Sequence, residues 1–139
     1  MLFHKTLSVA ANTLEKDASC VKVNVAPGLT DYVWVGFPPG CKGLVHVAIY
    51  HLHWQVWPWT PGEYFAWDGY VFLFRDRYPI TQPPFELMLK AWNEDDTYSH
   101  KVTFGVTIEP MAPMTEISAL EMVLLNRRLM YEHMKMPRE

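Results

Sequence analysis

Three histidines, His51, His53 and His100, come closest in type and spacing to a metal-ligand set. Side chains alternate along an extended strand, so His51 and His53 would project to one face, where two imidazoles can share a metal. His100 opens a later run of alternating apolar residues and is the candidate third ligand. A protein metal site needs three or four suitable donors. The residues after His53 are instead Trp54, Gln55, Val56, Trp57 and Pro58, and the first carboxylate downstream, Glu63, lies beyond a proline corner. His46 has the opposite parity and cannot join the pair from a straight strand. The preferred reading is histidines on the more polar face of a sheet, hydrogen-bonded or solvated. Neither a metal nor another cofactor is expected.

The second candidate is aromatic. Trp57, Trp59 and Trp67, accompanied by Trp54 and Tyr64, fall in and around "WPWTPGEYFAWDG". Exposed indoles offer a broad apolar face at low entropic cost and stack on sugar rings or on partner side chains. The competing reading is packing. Trp54 and Trp57 differ in parity, so at least one turns inward, and large aromatics mostly fill cores. Downstream, "WNEDDTYSH" gathers Asn93, Glu94, Asp95 and Asp96. It lacks the length, glycine and terminal glutamate of a calcium loop, so a turn stitched by Asx hydrogen bonds is expected. No GxSxG or phosphate-loop motif is present. Cys20 and Cys41 are too few for a zinc site; paired buried thiols are favoured over a disulfide. No enzyme is expected.

These residues need elements to hold them. The chain has 139 residues, half of them apolar, with 14% aromatic, 19% charged and 11 prolines. That suits one domain with one core and many corners. The net charge of -3 comes without a basic stripe, so nucleic acid is not an expected partner. No apolar run is long enough to span a bilayer, and no membrane association is expected. The start lacks a basic segment followed by a long apolar one, so no secretory leader is expected either.

Period-two alternation marks residues 2–10, 19–26, 31–37, 44–56, 69–76, 84–92 and 100–108, separated by Pro, Gly and Asx corners. About seven short strands so spaced predict a mainly β fold: an antiparallel β-sandwich, jelly-roll-like, over residues 1–110. Residues 111–139 predict one C-terminal α-helix in the same structural unit, running over 115–136 with Thr115 as cap. Ile117, Leu120, Leu124, Leu125, Leu129, Met130 and Met134 make its surface apolar on most sides. A small sandwich covers only one side, so this surface is expected to meet a partner subunit.

The succession "VWVGFPPGCKGLVHVAIYH", "WDGY" and "ELMLKAWNEDDTYSHKVTFGVTIEP" resembles small β-sandwich, jelly-roll-like virion structural and decoration proteins of tailed bacteriophages and related viruses, over roughly residues 19–110. The resemblance implies a non-enzymatic structural role: a capsid decoration, minor capsid or spike component. Its partners would be copies of itself or a major capsid protein, and it would be assembled in the host cytoplasm into the virion. No functional residue set comes with it. Two alternatives stay open. One is a glycan- or ligand-binding sandwich module using Trp57, Trp59 and Trp67, with a host-surface glycan as partner. The other is a cupin-like metal-binding protein using His51, His53 and His100. The cupin HxH is followed by a glutamate that is missing here.

Overall fold

Alternation of buried and exposed residues shapes the longer edge strands, while the strand Val45–His51 is buried along almost its whole length. In β1 (Leu2–Val9) Phe3, Leu7 and Val9 turn toward the core while Leu2, His4, Thr6 and Ser8 face out. β2 (Ser19–Asn24), β3 (Gly28–Phe37), β4 (Val45–His51), β5 (Trp54–Trp57), β6 (Tyr70–Arg75), β7 (Pro79–Ile80), β8 (Glu86–Asn93) and β9 (His100–Pro110) follow, with a 3₁₀ turn at Glu15–Asp17 before β2. This computed structural model describes residues 1–110 together with Leu124, Arg127 and Arg128.

The protein is mainly β, with two antiparallel sheets packed against each other. The first runs β1-β9-β3-β6, with β7 also on β3; the second runs β2-β8-β4-β5. The pairing is nested: β1 meets β9, β2 meets β8, β3 meets β6 and β4 meets β5. The chain therefore behaves as a long antiparallel ribbon folded back at β4–β5. Val33, Val35, Phe104 and Val106 of the first sheet bury against a layer that includes Val47, Ile49, Leu87 and Leu89 of the second.

Several expectations change. The single long strand over 44–56 is a hairpin: β4 ends at His51, residues 52–53 turn, and β5 starts at Trp54, which pairs back on His51. Leu52 takes the left-handed φ of 57° that this turn requires. Asn or Gly usually marks such a position, so a leucine there hides the turn. The cysteines are not paired: both are free, Cys41 in the core and Cys20 exposed on β2. The expected C-terminal helix, and with it Ile117, Leu120, Leu125, Leu129, Met130 and Met134, lies outside the described residues. Of that surface only Leu124 is described, and it is exposed.

Candidate functional site

The most developed site sits where the corner after β5 meets the end of β6. Trp57 closes β5 and is buried, only 1% exposed, opposite Ile49 of β4. Two residues on, Trp59 is 51% exposed. Both indoles donate their ring N–H to the same oxygen, Asp76 Oδ2, at 2.9 Å from Trp57 and 2.7 Å from Trp59. Asp76 itself is fixed through its backbone. Its N–H donates to the Asp31 carbonyl at 2.9 Å, and its carbonyl accepts the hydroxyl of the buried Thr30. The Thr30 hydroxyl also accepts the Tyr78 N–H at 2.7 Å. Thr30 can reach this corner because the register of β3 against β9 slips between Thr30 and Val33.

Tyr78 completes the cluster. Its ring packs at a steep angle on Trp57 (6.1 Å between centroids), Trp59 (5.4 Å) and His51 (5.3 Å). Its hydroxyl lies 2.5 Å from His51 Nδ1. Around Trp59 opens a shallow cleft of about 380 Å³, with Pro58, Phe65, Phe74 and Asp76 among its lining residues. It pairs an apolar floor with the oriented Asp76 carboxylate, and Arg75 also lines it.

His51 is therefore no surface histidine. It is 5% exposed on the core-facing side, and its Nε2 has no hydrogen-bond partner among the described residues. Burial pushes its pKa below the usual histidine value. The expectation that the histidines of this strand lie on a polar face is corrected for His51; His53 is exposed, in the hairpin turn. His100 bonds elsewhere: its Nε2 lies 2.8 Å from Asp95 Oδ2, and both side chains are nearly buried. Among the described residues no group of three or more His, Cys, Asp or Glu is placed to hold a metal ion. The set His51, His53 and His100 is not brought together. His46, on the outward face of β4, stacks on Trp92 at 5.1 Å and meets the edge of Tyr64 at 4.4 Å. Burial lowers its pKa against the opposing pull of Glu94.

The Asp95–His100 pair borders a more polar cleft of about 540 Å³ with Lys42, Asp96 and Tyr98. The hydrogen bond from His100 is the main reason that Asp95 sits below the usual carboxylate range, followed by the N–H of Thr97. Asp95 also takes the N–H of Tyr98, and Asn93 Oδ1 takes the N–H of Asp95. The loop is thus the Asx-stitched turn its sequence predicts. The nearby thiol of Cys41 is pushed up to about 11, by burial first and then by Asp68 and Asp95. A thiol so protonated and buried is not poised to attack.

Of the three tryptophans expected to form one ligand platform, the fold brings Trp57 and Trp59 to one carboxylate but offers a face only from Trp59. Trp67 is exposed at a different place, beside Lys42, Gly43 and Asp68. Sequence reasoning missed Asp76, Tyr78, Phe65 and Phe74. They join the corner through the pairing of β6 with β3 and through the Phe65–Val47 bridge, which leave no local signal. No protein-family model matches the chain, and no curated protein matches it.

Proposed function

We propose that this chain is a non-enzymatic structural subunit of a virion, a jelly-roll sandwich that joins neighbouring copies through the free edge and outward face of β6. The nested pairing supports the jelly-roll reading, since a folded ribbon of eight main strands split between two four-stranded sheets is the jelly-roll arrangement. That architecture is recurrent in viral capsid proteins; this part of the reading is analogy of fold.

The observation that carries the assembly reading is β6 itself. Among the described residues it is an edge strand of sequence YVFLFR, without proline or bulge and without charge before Arg75. Val71 and Leu73 face out, 54% and 63% exposed, opposite Gly36 and Trp34 of β3. Sheet edges left apolar and straight pair with other chains unless something blunts them. The other edges are blunted: β1 carries Lys5 among its core-facing residues, β2 carries Lys22 at its middle, and β5 is four residues long with a register shift. Two copies of β6 pairing about a twofold axis would extend the first sheet across the joint.

Size-exclusion chromatography with light scattering tests this. Wild-type protein is expected to form dimers or larger symmetric species. Val71→Lys with Leu73→Lys, which places like charges across the joint, is expected to give a folded monomer. A monomeric wild type at high micromolar concentration would refute assembly through β6. Mass spectrometry of purified particles from the source culture checks the virion assignment, with this chain expected at fixed stoichiometry.

A further inference from the structure

We infer that the cleft at Trp59 is a binding site for a pyranose sugar, with the Trp59 indole as the stacking face and the Asp76 carboxylate as the acceptor for ring hydroxyls. Half of the Trp59 surface is open, yet the ring is not free to collapse, because its N–H is tied to Asp76 and Tyr78 packs against it at 65°. The Asp76 backbone is clamped by Asp31 and Thr30. The site is thus set before a ligand arrives, which lowers the entropy lost on binding. Its volume of about 380 Å³ lies within the range of small-ligand sites.

The chemistry selects an amphipathic ring. A pyranose presents C–H groups on a face and hydroxyls around its rim. The faces meet an indole through weak C–H contacts, and the hydroxyls donate to a carboxylate. Asp76 Oδ2 is occupied by the two indoles, and Oδ1 has no partner among the described residues. A proline-rich peptide also docks on tryptophan, but it offers carbonyls that need donors. Both indole N–H groups here are already given to Asp76, Arg75 at the rim is paired with Asp31 at 2.9 Å and lies over the Tyr32 ring, and a carboxylate would face those carbonyls. A quaternary ammonium needs several aromatic faces around it. Here Trp57 is buried, Tyr78 packs steeply on Trp59, and Phe65 and Phe74 are half-buried and stacked on each other at 5.9 Å, so Trp59 is the one exposed ring of the lining, a platform rather than a cage. The inference does not depend on assembly through β6.

The test is a defined oligosaccharide array, followed by NMR titration of the full chain with the methyl glycoside of each sugar bound, and with decaproline and choline in parallel. The expected result is saturable binding of at least one glycoside, with the Trp59 indole resonance moving and that of Trp67 unmoved. Trp59→Ala should weaken binding by at least about tenfold. Trp59→Phe should keep most of it, and Trp67→Ala should leave it unchanged. Binding should persist in the Val71→Lys, Leu73→Lys protein, which separates this site from the assembly surface. Absence of any glycoside on the array, binding that leaves the Trp59 resonance unmoved, or response to decaproline or choline alone would each overturn the inference.

Discussion

At Asp76 one carboxylate oxygen accepts two indole N–H groups and so ties the buried Trp57 to the exposed Trp59. Replacing it with alanine strands the N–H of the buried Trp57. Asp76→Ala is therefore expected to cost about 1–3 kcal/mol in urea unfolding, with a shift in tryptophan fluorescence. His51 and His46 bear on pH. Both have folded pKa values lowered mainly by burial. Between that lowered value and the ordinary value of 6.5 the unfolded chain holds more protons than the folded one. Stability is then complete above about pH 6.5 and falls as pH drops through that window, by at most about 1.4 kcal/mol per pH unit for each histidine. Unfolding curves between pH 7 and 5 should show the fall, and His51→Gln should flatten it. Asp95 and Asp68, whose pKa values are lowered, act in the same direction at more acidic pH: their stabilisation is present above the ordinary carboxylate value and is lost only as pH falls below it.

At the scale of elements, two devices set the shape of the first sheet. Trp34 lies flat across Gly105 of β9, where an added Cβ would fall 1.9 Å from the indole. Gly105→Ala must displace that ring, and a cost of roughly 1–3 kcal/mol is expected from overpacking, read as a lower urea midpoint. The second device is the register slip near Thr30. Thr30→Val keeps the shape but removes the buried hydroxyl that takes the Tyr78 N–H and donates to the Asp76 carbonyl, leaving that N–H only its longer, 3.1 Å bond to the same carbonyl. A loss of about 1–3 kcal/mol is expected, together with altered Trp59 fluorescence because the corner it rests on loosens. The hairpin β4–β5 shows how an element escapes sequence reading: a leucine at a left-handed position leaves two strands looking like one.

Over the whole molecule, the pairing of the first strand with the last means that no local segment completes a sheet. Loop closure must precede reward, so folding in the millisecond-to-second range is expected in stopped-flow refolding. Removing residues 1–9 uncovers β9 and deletes Val9 from the core, and the shortened chain is expected to be insoluble or to lack a cooperative unfolding transition.

Period-two patterning alone located most of the strands, because burying one face of a strand imposes alternation wherever the sheet has an outside. The same logic separated Trp54 from Trp57 and His46 from His51, and the Asx chemistry of residues 93–97 was legible because those bonds are local. What only the tertiary structure decided was which residues meet. Asp76 and Tyr78 reach the tryptophan corner through β6–β3 pairing, His51 and His100 part company because each finds a different buried partner, and the two cysteines separate into core and surface. Periodicity reports a direction, inward or outward, one residue at a time. A site is a set of distances between strands far apart in sequence, and those follow from register and strand order, which a single chain does not spell out locally.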